Sequence, residues 1–463
     1  MSEETTAARF DFNGSVRLAE RGEKLSGNAG ALLLRETDDR LGVTGWLARK
    51  LVDPRNPVFV VHDLAALLRT RLQLIALGHR DQGDADLLRM DPALRLSVSE
   101  YAGLTPLDDG MGLASQPTMS RLVDMLAVPS NLHHLHEGLI EGAIRCGGRG
   151  KGLAPKQAII DIDSLPIEVH GHQAGSEWNG HYGIRCFHPL VAMLHTGHWI
   201  GMELRPGNAH TAENCVDFLV PIVQRVEQET GHKPRLRGDA GFPSGATLDN
   251  LEATGCDYVF RVRNNSVLDD LAKPHLVRPA GRRPKEPREW VYDLTYKAGS
   301  WSKERRVVLV VQERKDELYL HHFFLVTNAS RQSWSAEKLL ADYRQRGTME
   351  GHLGELKSVM APALSCALRG EERNGGQAGD PEFRNAATML LFTLAYNLAH
   401  SARLVHVRAT RNPCALAQLR KKLLTVPALL VVSARRATLA VNSTIAMAWT
   451  RFLAVLQSVP KAA

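Results

Sequence analysis

The stretch Tyr343-Arg-Gln-Arg346-Gly-Thr-Met-Glu350-Gly-His-Leu-Gly-Glu-Leu-Lys357 sets an aromatic ring, a guanidinium, a carboxylate and an ammonium at fixed offsets. Read as one helix turning about 100° per residue from Tyr343, it puts Arg346, Glu350 and Lys357 at about 300°, 340° and 320°. All four then share an arc of roughly 60°. A buried structural face would carry apolar residues there instead. The set suits a phosphodiester: the carboxylate holds a metal ion, Arg346 and Lys357 hold phosphates, and the Tyr343 ring packs on sugar or base. The alternative is an exposed helix stiffened by an i,i+4 Arg346–Glu350 pair, worth a few tenths of a kcal/mol.

Two upstream segments add carboxylates. In Ile159-Ile-Asp161-Ile-Asp163-Ser164 the apolar run predicts a strand. Alternate residues of a strand face the same way, so Asp161 and Asp163 share one face and Ile160 and Ile162 the other. A carboxylate on a central strand is costly unless paired or bound to a cation. Asp239 closes a second short strand in Arg237-Gly-Asp239-Ala-Gly241, where the glycines permit a tight turn. Asp163, Asp239 and Glu350 thus offer three carboxylates from three elements. Hard oxygen ligands in small number favour Mg²⁺, with Mn²⁺ as a substitute.

The order and spacing Tyr343-x2-Arg346-x3-Glu350-x6-Lys357 resembles the signature of bacterial insertion-sequence transposases of the Asp-Asp-Glu class. That resemblance implies an α/β fold with a ribonuclease H-like catalytic core and maps the metal-binding catalytic triad onto Asp163, Asp239 and Glu350. Asp163 is preferred because it ends the strand and precedes Ser164, as in the family's Asp-Ser/Thr pattern; Asp161 is either the alternate ligand or a residue that supports the ligands from behind. The implied activity is cut-and-paste transposition: binding of terminal inverted repeats on double-stranded DNA, cleavage, and joining of 3′ ends to target DNA. A hairpin intermediate at the transposon end is a further implication. A DNA-binding derivative that no longer cleaves, and a nuclease without strand transfer, are the alternatives.

Composition agrees with a polyanionic partner. The 463 residues carry a formal charge of +7, and a basic protein favours nucleic acid. Residues 278–306 hold nine Lys/Arg, including Arg282, Arg283 and Lys285, against four acids, a local excess of five. This segment is expected to hold DNA across two subunits, since joining two ends needs two active sites and symmetric dimers are the commonest closed oligomer. A homodimer on DNA follows. The six cysteines include no Cys-x-x-Cys pair, which argues against a zinc ribbon or a disulfide framework. The N-terminus has no signal-peptide pattern and no apolar run is long enough to span a bilayer, so a cytoplasmic, nucleoid-associated protein is expected.

The chain divides by pattern. Residues 1–150 read as a mostly helical DNA-binding region. Within it, Leu113–Leu126 predicts a short helix with Met119, Leu122, Val123 and Leu126 inward and Thr118, Ser120, Arg121 and Asp124 outward. That outward face is a candidate recognition surface, with Thr118 and Arg121 as base readers. Residues 151–257 alternate strand and helix as the first part of the core. Residues 258–330 read as a β-rich insertion, 331–404 as the second part of the core, with one helix from about Ser335 to Met360, and 405–463 as an unassigned C-terminal region. The His-rich run His170–His188 lacks clean metal-ligand spacing and is read as loop and strand near the first aspartate. The turn Arg205–His210 leads into a helix expected at Ala212, with Thr211 as its cap.

Overall fold

A computed structural model describes residues 9–17, 24–100, 107, 110–147, 158–171, 173–280, 286–315, 317–366, 380–433 and 436–461. Arg282, Arg283 and Lys285 lie outside these residues, as does most of the Gly-rich stretch after the signature.

The architecture is mixed α/β around an eight-stranded mixed sheet. Its strands are β1 (Ile159–Ser164), β2 (Leu190–Leu194), β3 (Trp199–Glu203), β4 (Arg235–Gly238), β5 (Asp257–Val262), β6 (Arg288–Tyr296), β7 (Arg305–Glu313) and β8 (His321–Thr327). The spatial order is β6-β7-β8-β5-β4-β1-β2-β3. β1, β2 and β3 form an antiparallel meander. β4 lies parallel to β1 and β5 parallel to β4. The strands expected as a separate insertion continue the same sheet, because β8 pairs antiparallel with β5 and carries β7 and β6 beyond it.

Ile160 and Ile162 enter one core with helices α4 (Cys215–Thr230) and α5 (Gly245–Thr254). The other face of the meander, with Val191, Met193 and Trp199, packs in a second core shared by the N-terminal helices and the C-terminal segment. The N-terminal helices include α1 (Leu64–Leu77), α2 (Gln116–Leu126) and α3 (Pro129–Gly147). They share that core with α8 (Pro381–Thr410), a thirty-residue helix buried over most of its length. α8 also closes the sheet edge: the Asn397 amide accepts from Trp199 N–H at 2.9 Å and donates to its carbonyl at 2.8 Å. Beyond α8 the described residues include a helical segment at Leu416–Leu424, a hairpin, Ala428–Ser433 and Arg436–Ala440, and α9 (Ser443–Gln457). The hairpin pairs with N-terminal strand Lys24–Ser26, tying the two ends of the chain together.

The signature is not one helix. α6 (Ala336–Arg344) ends in a turn at Gln345–Arg346, α7 (Gly347–Glu355) restarts the helix, and Leu356–Met360 widens into a π-helical turn. A uniform 100° step therefore fails across the motif.

α2 buries the four predicted apolar residues, but Ser120 is also buried and Asp124 pairs with Arg384 of α8 at 2.7 Å. The expected outward face is thus narrowed to exposed Arg121 beside half-buried Thr118. The predicted helix after Arg205 starts later, at Cys215, with Asn214 rather than Thr211 before it.

On the side of β1 opposite its isoleucines, Asp161 sits in register with Arg237 of β4. Both are 1 % exposed, and Arg237 donates Nε and Nη2 to the two carboxylate oxygens at 2.6 and 2.7 Å. Asp161 is therefore held in a buried ion pair beneath the carboxylate edge. Removing one partner of such a pair leaves the other charge buried and unpaired, at a cost of about 3–5 kcal/mol. Asp161→Ala is expected to lower the thermal midpoint sharply in a melting scan; a midpoint within experimental error of wild type contradicts the structural role.

Candidate active site

The parallel register sets the site. Asp161 lies opposite Arg237, so two residues further along each strand Asp163 and Asp239 leave the sheet side by side at its carboxyl edge, where open α/β sheets bind ligands. Gly238, just before Asp239, has no room for a side chain: a Cβ there would stand 2.7 Å from the Phe260 ring and 2.8 Å from Ile162. The turn after β4 is closed by Asp239 Oδ1, which accepts from Gly241 N–H at 2.8 Å.

α6 and α7 lie over this edge. The third Arg237 nitrogen, Nη1, donates to the Asp342 carbonyl at 2.6 Å, which pins the end of α6 to the strand pair. The break that follows lets Arg346 turn inward. Its Nη2 donates to Asp163 Oδ2 at 2.7 Å, and the residue is 9 % exposed. One turn on, exposed Glu350 enters a cleft of about 360 Å³ lined also by Asp239, Arg261, Tyr343, Arg344 and Arg346. A second cavity of about 560 Å³ meets the first at Asp239 and includes Asp163.

The structure thus brings together Asp163, Asp239, Glu350, Tyr343 and Arg346. Lys357 is exposed in the π-helical turn and does not line the cleft; burial raises the pKa of the Cys186 thiol, and Lys357 opposes that rise. Thr118 and Arg121 sit on α2, outside both cavities. Sequence reasoning missed Arg261 and Arg344, two exposed guanidiniums at the cleft. Arg261 faces outward from β5 near the Phe323 ring, 5.3 Å from its centroid, and Arg344 also pairs with Glu289 of β6. Arg261 has no motif around it, and Arg344, though inside the quoted stretch, falls off the arc shared by Tyr343, Arg346, Glu350 and Lys357.

The electrostatics favour a cation. Asp163 has its pKa raised by burial; Arg346 and the Ser164 N–H oppose this, while the Asp239 and Glu350 charges add to it. Burial alone would lower the Arg346 pKa, yet Asp163, Tyr343, Asp239 and Asp161 hold it above its ordinary value. Three carboxylates face one buried guanidinium, so negative charge is in excess at this depth and a divalent ion would offset it.

α7 is anchored from its far side. Glu355 accepts two bonds from Arg403 Nη1 at 2.6 and 2.7 Å, one from the Tyr396 hydroxyl at 2.9 Å and one from Leu416 N–H at 2.9 Å. His352 Nδ1 lies 2.7 Å from the same hydroxyl. His352, His400 and His198 cluster against the β2–β3 turn, where Gly197 (φ +87°) is required because a Cβ would lie 2.6 Å from both His352 and His400 atoms.

The family described as Transposase DDE domain group 1 matches residues 8–462, and the chain belongs to it. Its members are DNA transposition enzymes that act with a divalent metal ion. No curated protein matches the chain. Among solved structures, a piggyBac transposase in a synaptic complex with hairpin DNA is similar over 93 % of this chain and 80 % of that one, at 13 % identity and a TM-score of 0.38. No helix among the described residues is long and apolar enough to cross a membrane.

The histidine cluster makes this anchor acid-sensitive. Burial pushes His198 down to about 3 and His352 to about 4, with Arg403 adding to both, and holds His400 well below its ordinary value. Because these folded-state values lie below the unfolded one near 6.5, the unfolded chain binds more protons as pH falls. Stability is full above about pH 6.5 and is lost as pH drops towards 4. The melting temperature is expected to fall between about pH 7 and pH 5, and His352→Gln is expected to shrink that fall; an unchanged difference contradicts the assignment.

Proposed function

We propose that this chain is a cut-and-paste DNA transposase that binds terminal inverted repeats, cleaves at the Asp163–Asp239–Glu350 edge and joins the freed 3′ end to target DNA. The observation that carries this reading is the gathering of those three carboxylates around two open cavities that meet at Asp239, at the end of two parallel strands. The strand order β3-β2-β1-β4-β5, an antiparallel meander followed by parallel strands, supports a ribonuclease H-like core extended by β8, β7 and β6.

Hard carboxylate oxygens suit Mg²⁺, with Mn²⁺ as a substitute, and two such ions would activate a water or 3′-hydroxyl and stabilise the departing oxygen. Asp163, Asp239 and Glu350 would hold them. Arg346 has a different task from the phosphate contact expected of it. Buried and bonded to Asp163, it fixes the orientation of that carboxylate. Arg261 and Arg344, exposed at the rim, hold the phosphates on either side of the cut. The half-buried Tyr343 ring lines the same wall and packs on sugar or base. Lys357, further along, and the basic segment with Arg282, Arg283 and Lys285 contact more distant phosphates. Thr118 and Arg121 read the end sequence. The working form is a homodimer that holds two ends.

Asp163→Asn, Asp239→Asn and Glu350→Gln each keep the side-chain size and remove the charge. Each is expected to abolish Mg²⁺-dependent cleavage of end DNA while leaving gel-shift binding within about threefold of wild type, since phosphate contacts supply most of the affinity. Cleavage retained in all three variants refutes the triad. Cleavage by wild type without joining to target DNA identifies a nuclease instead.

A further inference from the structure

The first turns of α3 carry Asn131-Leu-His133-His134-Leu-His136-Glu137. Taking His133 as zero and about 100° per residue, Glu137 falls near 40° and His134 near 100°. The carboxylate therefore stands between the two imidazoles, one helical turn further on. Leu135 and Leu139 point the opposite way, into the core.

Both rings are turned to that carboxylate. His134 Nδ1 lies 3.2 Å from one Glu137 oxygen, and His133 Nε2 lies 3.8 Å from the other. One ligand atom from each residue falls within 4.8 Å of the other two. The His133 separation is too long for a hydrogen bond. It is close to the span between two ligands on one tetrahedral ion, about 3.4 Å for metal–ligand bonds of about 2.1 Å. All three side chains are open to solvent, so an ion can enter directly. The backbone beneath them is fixed. Asn131 is buried; its Oδ1 accepts from Val52 N–H at 2.8 Å, and its Nδ2 donates to the Val52 and Met125 carbonyls at 3.0 and 2.9 Å. A turn held in this way presents its ligands with little ordering left to do.

We propose that His133, His134 and Glu137 form a surface site for one transition-metal dication of the Zn²⁺ class, with water completing the tetrahedron. Two imidazoles and a carboxylate suit that class, whereas Mg²⁺ takes oxygen ligands and keeps its waters. The site is therefore chemically unlike the all-carboxylate edge at Asp163, Asp239 and Glu350, and none of its residues lines the two cavities there. The proposal does not depend on the transposase reading. An ion that binds these three residues only while α3 is formed stabilises the folded chain by mass action. The competing account is a set of ordinary helix-surface His–Glu pairs, which needs no ion.

The test is zinc binding by equilibrium dialysis on the full chain, stripped with a chelator and kept in excess Mg²⁺. Wild type is compared with His133→Ala, His134→Ala and Glu137→Gln and with two controls. His321→Ala removes a histidine that also pairs with a glutamate four residues away, Glu317, but belongs to no three-ligand group among the described residues. Asp239→Asn weakens any zinc held at the carboxylate edge. Wild type and both controls are expected to bind one zinc ion that each of the three site variants binds at least about tenfold more weakly, since even the outer partners of metal ligands are worth that much. In chelator the melting curves of wild type, the site variants and His321→Ala are expected to coincide; on adding Zn²⁺, wild type and His321→Ala are expected to rise and the site variants to lag. Equal zinc affinity and stoichiometry in wild type and the three site variants overturns the proposal. So does loss of the ion in Asp239→Asn alone, which places it at the carboxylate edge instead.

Discussion

The buried Asp161–Arg237 pair is the constraint on which the rest of the site depends. It locks β1 and β4 in one parallel register. A shift of one residue would move every side chain of one strand to the other face, and Asp163 would no longer leave the sheet beside Asp239. The same guanidinium reaches the Asp342 carbonyl, so one residue sets the strand register and the end of α6 together. Two charges are taken out of water here. Such pairs seldom add net stability over an apolar replacement, so the geometry they impose is the better account of their presence.

Around that anchor the molecule gathers charge that it does not neutralise. Arg346 satisfies one oxygen of Asp163, yet Asp239 and Glu350 still raise the Asp163 pKa through their own charge. A fold selected only for stability would add a second cation at this depth. Cations are instead displaced to the rim, at Arg261 and Arg344, where they meet solvent. α7 can carry Glu350 against this repulsion because Glu355, on the same helix, is held by Arg403, Tyr396 and Leu416.

The sheet was legible from the sequence because its strands are short apolar runs bounded by turns. β1 and β4 fall where strands were expected, at Ile159–Ser164 and just before Asp239. The carboxylate face of β1 followed from period-two alternation alone. The signature motif was legible in composition but not in shape: Gly347 and the inward turn of Arg346 break the helix, and no periodicity reveals an inward guanidinium. Asp161 was ambiguous because its partner Arg237 lies 76 residues away, beyond any local pattern. The joining of β8 to β5 and of Lys24–Ser26 to the C-terminal hairpin was hidden for the same reason. The family match over residues 8–462 agrees with a chain whose two ends share one core.

The account turns on where the metal ions sit. Anomalous diffraction from crystals of the protein with end DNA and Mn²⁺ measures this directly. The account predicts Mn²⁺ peaks held among Asp163, Asp239 and Glu350, with the Asp161–Arg237 pair intact beneath them. Mn²⁺ held by Asp161, or none among the three carboxylates while the DNA is bound, would contradict it.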